Sequence, residues 1–412
     1  MAETYKVYKY RWVILAVYMY VAAMNQVYCL NFAAIGSYIQ DYLSISAMQI
    51  GLMVMVFAIA QVLLTVPSGL LVDRKGFKYS VGIGTLFTGV FAMVRLLNPE
   101  SFTVLLLCQI GIAIGQPFII NGVTKLVVTW FPKKEEATAV GLGSLAWFGG
   151  MMVALGLTPI LVERFGYQQM LLIYGILGVA GILLFYALVR AKPQTPPGKI
   201  EVVEELSNWE GIKKILKIRN FVLLGFVAFL GFGVFIGIST WLEMILNELH
   251  QISMTDAGTI GAMLMLSGII GCIVIPMISD RIMKRKPFLL LACPVGIVCM
   301  IVLILANGYA LNMVNIIVFG FLLVSVMPII FTMATEITGA RFAGISVAYV
   351  ELLGNASGIV IIFLIEVLHG ETGNYIVPLV FLAVLMCAAF ILATQIKETG
   401  RKEEVTTTGS AA

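Results

Sequence analysis

The chain repeats one pattern twelve times: a run of about 20 apolar residues followed by a short polar stretch. A helix needs about 20 such residues to cross ~30 Å of hydrocarbon, so each run is long enough to span a bilayer. The spans fall at about residues 11–36, 47–71, 79–98, 102–131, 137–162, 168–190, 219–246, 254–279, 287–307, 311–338, 342–368 and 374–396. The runs are continuously apolar and do not alternate, which excludes a closed β-barrel. With 60% hydrophobic and 12% charged residues, and a mean hydropathy of +1.01, there is more apolar surface than a water-soluble core of 412 residues can bury. The fold class is an all-α membrane protein. The first run, Trp12 to about Ile35, is too long for a signal segment and no small-residue cleavage pattern follows it, so it is read as a retained span.

Positive charge orients the spans. Lys6, Arg74, Lys78, Lys133, Arg190, Lys213, Arg285, Arg341 and most other basic residues fall on one side, and only Arg95 and Arg164 clearly fall on the other. The positive-inside rule makes the first side cytoplasmic, with both termini inside, in the plasma (inner) membrane. Residues 192–218 carry Pro193, Pro196, Pro197 and the acidic patch Glu201, Glu204, Glu205, and read as a cytoplasmic linker between six-helix bundles at 1–191 and 219–398. Within it, Asn208 to Ile218 suits an amphipathic helix on the inner leaflet, with Trp209 at the interface. Residues 399–412 read as a disordered tail, its last four residues Gly409, Ser410, Ala411 and Ala412 resembling a residual tag. The six cysteines all lie in apolar runs without C-x-x-C spacing and are read as free and buried.

The two bundles repeat each other. Gly69, Asp73, Arg74, Gly76 and Lys78 after the second span correspond to the segment around Asp280, Arg281 and Arg285 after the eighth, and the 207 residues from Asp73 to Asp280 also separate Gly51 from Gly258. The Gly-x-x-x-Asp-Arg-x-Gly-x-Lys segment resembles the loop signature of the major facilitator superfamily. That resemblance implies the major facilitator fold, twelve transmembrane helices in two six-helix bundles related by a pseudo-two-fold axis. An Asp at a membrane-facing helix end is costly unless paired. Asp73, with Arg74 and Lys78, and Asp280, with Arg281, are therefore expected to form cytoplasmic latches that hold one state and break on opening inward.

Polar groups in mid-span mark the candidate path. Asn25 and Tyr28 share a face of the first span, flanked by Gln26 and Asn31. Gln109 and Gln116 lie seven residues apart in the fourth, with Pro117 after them freeing a backbone carbonyl. Trp147, Trp241 and Tyr28 offer π faces to an ammonium group. Four glutamates lie within spans of the second half. Glu351, deepest and one turn before Asn355, suits a substrate cation or a proton; Glu336 suits a cytoplasmic gate; Glu243, with a gating role, and Glu366 stand near the outer ends, where a hydrated rim group is expected. His250 and His369 fall in outer loops.

A narrower resemblance rests on Arg11, Trp12 and Val13, Asn25 and Gln26, Phe32 and Ala33, Gly115 and Gln116, Trp130 and Phe131, Ser239 and Thr240, and Pro328 with Glu336, Ile337, Thr338 and Gly344. These resemble the feline leukaemia virus subgroup C receptor-related transporters, a family associated with choline and ethanolamine uptake and with haem export. The resemblance implies a small organic cation as substrate, with Gln116 and Asn355 at binding positions; Thr240 is a further substrate-binding candidate. It also shows departures, since the tryptophan and tyrosine that cage a quaternary ammonium stand here as Cys29 and Ile236. Glu351 replaces an amide. A carboxylate with fewer aromatics favours a smaller, hydrogen-bonding amine or a proton-coupled site.

No P-loop, Rossmann glycine pattern or hydrolase motif occurs in its required context, so the expectation is a secondary transporter and not an enzyme. Its expected partners are a small-molecule substrate, protons or another coupling ion, and membrane lipids, with no cofactor, no metal and no nucleic acid, and the chain is expected to be a monomer. Proton-coupled efflux of amphipathic compounds, transport of an organic acid, and a non-transporting receptor are the alternatives.

Overall fold

The computed structural model describes residues 6–197 and 208–399; Glu201, Glu204, Glu205 and the tail from residue 400 lie outside the described residues. Among the described residues, twelve helices are long and apolar enough to cross a membrane: α1 Arg11–Leu30, α2 Ala47–Lys75, α3 Phe77–Leu97, α4 Phe102–Trp130, α5 Lys133–Phe165, α6 Tyr167–Leu188, α7 Arg219–His250, α8 Met254–Ile282, α9 Lys286–Leu305, α10 Tyr309–Thr338, α11 Ala343–Thr372 and α12 Ile376–Gln395. Short helices at Gly36–Leu43 and Asn208–Ile215 complete the described chain.

Most spans match the apolar runs, and the differences have local causes. The first expected span ran to residue 36, but α1 stops at Leu30, and a 3₁₀ turn at Ala33–Ile35 leads into Gly36–Leu43. Helix α5 starts at Lys133, four residues before the apolar run, with Glu135 and Glu136 in its first turn, where a helix N-terminus favours negative charge. Helix α4 breaks at Asn121, whose side-chain amide donates to the Thr65 carbonyl at 3.1 Å and the Ser68 hydroxyl at 2.7 Å on α2. A similar break at Val324 and Ser325 divides α10.

Helix ends are set by capping chemistry. The Ser46 hydroxyl accepts the Gln49 N–H at 3.3 Å while the Gln49 side chain accepts the Ser46 N–H at 2.9 Å, a reciprocal cap for α2. The other end of α2 closes on Gly76, the motif glycine, at φ +82°, a conformation in which a side chain would be strained.

Helices α1–α6 pack among themselves, as do α7–α12, and the halves meet where α2 crosses α11 and α5 crosses α8. In lipid, with no hydrophobic drive between helices, such crossings depend on close backbone approach. Both repeat-related glycines lie at these seams. A Cβ at Gly51 would strike Trp241 and Ile362 of the second half, and one at Gly258 would strike the Leu155 carbonyl and Pro159 of the first. The two ends of the bundle differ: one carries Arg11, the connection from α6 to α7 and the end of α12 (the terminal end), and the other is the far end.

Candidate functional site

Three layers of polar groups lie along the path between the halves. In the middle layer, α1 presents a ladder of amides to its neighbours. Asn25 Nδ2 donates to the Thr88 hydroxyl at 3.1 Å and the Ile112 carbonyl at 3.4 Å, and Gln26 Nε2 donates to Gln116 Oε1 at 3.3 Å. Gln109 Nε2 donates to the Tyr28 carbonyl at 3.0 Å and the Met53 carbonyl at 3.4 Å. Tyr28 is wholly buried; its hydroxyl donates to the Tyr174 carbonyl at 2.7 Å, and its ring lies 5.0 Å from the Arg95 guanidinium carbon. Asn25, Tyr28 and Gln109 are thus committed to packing inside the first half, while Gln26, Gln116 and Cys29 stand buried beside them. Such interhelical bonds contribute about 1 kcal/mol each in a membrane.

The second half meets this wall with α7 and α11. Ile236 packs against Gly358, and the Thr240 hydroxyl donates to the Ile236 carbonyl of its own helix at 2.8 Å. Trp241 is wholly buried at the seam against Gly51, its ring 6.3 Å from that of Tyr375, so in this state it seals the crossing and offers no free face. Glu351 and Asn355 are partly buried on α11, the Asn355 amide bonded to the Glu351 carbonyl at 3.0 Å. Opposite them, half-exposed Trp147 on α5 lies within hydrogen-bonding reach of the Tyr18 hydroxyl, which feels the field of the Glu351 carboxylate. Tyr18 was not among the sequence candidates. Its spacing seven residues before Asn25, on the same face of α1, was the available signal. An apolar cavity lined by Phe232, Cys293, Met327 and Met386 belongs to the interior of the second half and does not include Glu351.

The far end is closed by carboxylates that reach across the seam. Glu243 accepts the Ser37 N–H at 2.8 Å and also the Ser37 hydroxyl, at the start of the short helix Gly36–Leu43. Glu366 of α11 accepts the Met48 N–H at the start of α2, and Glu163 of α5 accepts the Thr255 hydroxyl at the start of α8 at 2.5 Å. The repeat explains the pairing, since Met48 and Thr255 are separated by the same 207 residues as Asp73 and Asp280. The hydrated-rim expectation for Glu243 and Glu366 is corrected here: they are only 3% and 8% exposed, because donors of the opposite half cover them. His250 and His369 likewise sit on the last turns of α7 and α11 and not in loops.

At the terminal end the charges pair within their own halves. Asp73 lies 3.9 Å from Lys125 of α4, with both side chains about half exposed; Arg74 and Lys75 follow it at the end of α2, and Lys78 lies in the first turn of α3. In the second half Arg285, the repeat counterpart of Lys78, binds Asp280 at 2.6 Å and Glu336 at 3.2 Å, while Arg281 stays exposed. Burial works most strongly against the Arg285 charge, but hydrogen bonds and attraction from Asp280 and Glu336 outweigh it and hold the guanidinium above its ordinary value. Arg11 makes a two-pronged bond to Glu135 at 3.0 and 3.1 Å.

Residues 16–362 match the family model described as the Major Facilitator Superfamily. The chain belongs to the major facilitator superfamily. As a major facilitator it is 27% identical over 89% of its length to an uncharacterized MFS-type transporter of Caenorhabditis elegans, of which it covers 66%. It is 25% identical over 97% of its length to the human choline/ethanolamine transporter FLVCR2, covering 79% of that protein. Solute carrier family 49 member A3 of Xenopus tropicalis is 28% identical over 68% of this chain and 61% of its own length. The fold is shared with a bacterial homolog to the human lysosomal transporter Spinster, solved in an inward-facing and unoccupied conformation, at a TM-score of 0.77 and 17% identity over 95% of this chain and 98% of that one. This facilitator is therefore a multi-pass membrane transporter by family, and the family points away from an enzyme.

Proposed function

We propose that this facilitator moves a small polar organic solute, an amine or organic cation of the choline or ethanolamine class, across the plasma membrane by alternating access. The Glu351 carboxylate carries the reading. It faces Trp147 and Tyr18 of the opposite half, and an unpaired carboxylate within a span is costly unless a cation or proton visits it. The names of the relatives support the same class. The loss of two aromatics at Cys29 and Ile236 favours a solute that donates hydrogen bonds over a fully methylated ammonium. Gln116 and Asn355 are the amides assigned to its polar groups.

In this reading the terminal end is cytoplasmic, with bundles at 1–191 and 219–398 rocking about the midplane, and the far-end clasps are the outer gate. Glu243 holds that gate shut, while Asp73, Arg74, Lys78, Asp280, Arg281 and Glu336 belong to the inner latch that re-forms when the cytoplasmic side closes. Protons are the coupling ion assigned to the outer carboxylates. A thermal-shift screen of purified protein against amines, amino acids and carboxylates tests the substrate class, because a ligand stabilises the state it binds. Stabilisation by primary or methylated amines is expected; stabilisation by carboxylates alone would overturn the assignment.

A further inference from the structure

The outer seal holds a set of titratable groups that substrate binding at Glu351 does not use. His369 lies three residues beyond Glu366 on α11, with Nε2 2.9 Å from Glu248 Oε2 of α7 and Nδ1 3.9 Å from Glu366 Oε2. Its ring stacks on Tyr375, centroids 4.1 Å apart and planes 22° from parallel. Glu248 also accepts the Tyr375 N–H at 3.2 Å. Glu366 bonds the Met48 N–H of the opposite half, yet its Oε2 is buried without a hydrogen-bond partner. The ionisable groups facing His369 are therefore Glu248 from α7, Glu366 from α11 and the Tyr375 phenol before α12, with Glu243 beyond Tyr375; α2 contributes the Met48 backbone.

A neutral imidazole has one N–H and an imidazolium has two. With one, His369 satisfies Glu248 or Glu366 but not both, and a buried carboxylate oxygen left bare is costly. With two, it keeps Glu248 and turns a second N–H toward Glu366, where closing the 3.9 Å gap would satisfy the bare oxygen and steady Glu366 in its grip on α2. We infer that His369, Glu248 and Glu366 form a proton-binding site in the outer seal, and that a proton held there keeps the seal closed. Imidazole is the side chain whose ordinary charge change falls between pH 5 and 8. The sign follows from linkage: the sealed state binds the proton more tightly, so acid favours the seal and alkali favours its opening.

The inference rests on alternating access but on no substrate, so it is tested without one. Spin labels at Asn98→Cys and Asn307→Cys, uncharged exposed positions on outer loops of opposite halves, report the opening by distance distribution in nanodiscs, with the exposed Cys387 replaced by Ser. Between about pH 5.5 and about pH 8.5 the ratio of long to short distances should rise about fivefold or more, the effect of baring one buried acceptor. His369→Gln should flatten this response. Glu366→Gln should flatten it too, since its amide donates to a neutral imidazole while its carbonyl still accepts from Met48. An unchanged distribution in the parent protein, or a pH response that persists in either variant, would overturn the proton site. Glu243→Gln, which weakens the seal without touching His369, separates the two claims: if it lengthens the distance while pH does not, alternating access stands and the proton site falls; if neither does, both fall.

Discussion

The Arg95 guanidinium carbon stands 5.0 Å above the ring of Tyr28, and both side chains are wholly buried. Tyr28 is thus already a cation–π partner, but for a residue of its own half. Phe32, 5.7 Å from the same guanidinium, adds a second face. A charge buried in a membrane protein without a carboxylate beside it is expensive, and aromatic faces are one of the few compensations available there.

Tyr28 is accordingly expected to matter for stability and not for selectivity. Tyr28→Ala should cost about 3–5 kcal/mol, as large core truncations do. Tyr28→Phe, which loses only the hydroxyl's bond to Tyr174, should cost about 1 kcal/mol. Thermal unfolding of the detergent-purified variants measures both, and uptake ratios among competing amines should be unchanged in Tyr28→Phe.

The gate at Glu243 predicts a change of state. Glu243→Gln replaces charge-assisted bonds to Ser37 with weaker neutral ones, which should shift the equilibrium toward outer opening by about 1 kcal/mol, or roughly fivefold. Alkylation of Cys29 by an impermeant thiol reagent added from outside should speed up correspondingly, and an unchanged rate would remove Glu243 from the gate.

The contacts of the two repeat-related Asp residues should respond unequally. Asp73→Asn breaks a half-exposed contact at 3.9 Å, worth under about 1 kcal/mol in stability, whereas Arg285→Met removes a buried guanidinium bonded to two partly exposed carboxylates and should cost about 1–2 kcal/mol. Thermal unfolding in low and high salt distinguishes them, with salt expected to blunt only the first. Accessibility labelling of Asp73→Asn should still show a shifted balance between inner and outer opening, because the latch reading assigns Asp73 to the state in which the cytoplasmic side is closed.

The twelve spans were legible in the sequence because a bilayer demands long unbroken apolar runs, and the repeat was legible because Asp73 and Asp280, like Gly51 and Gly258, keep a single offset. The partners of mid-span polar residues were not. Asn25, Tyr28 and Gln109 share the composition of cavity-lining residues, but their donors and acceptors are met by Thr88, Tyr174 and backbone carbonyls on other helices, and no local pattern announces such a contact. The same holds for Glu243 and Glu366, whose position near a helix end suggested water until the opposite half covered them. Tyr18 gave no clear signal, because a tyrosine toward the terminal end of a span has the same pattern as an interface anchor.

Glu351 is the hinge of the functional account, and uptake into proteoliposomes tests it most directly. The parent protein should take up a primary or methylated amine saturably, and Glu351→Gln should lower that uptake at least about tenfold, the loss of one charge-assisted contact, while its unfolding temperature stays within a few degrees. Amine uptake that is the same in Glu351→Gln as in the parent, at several pH values, would contradict the account.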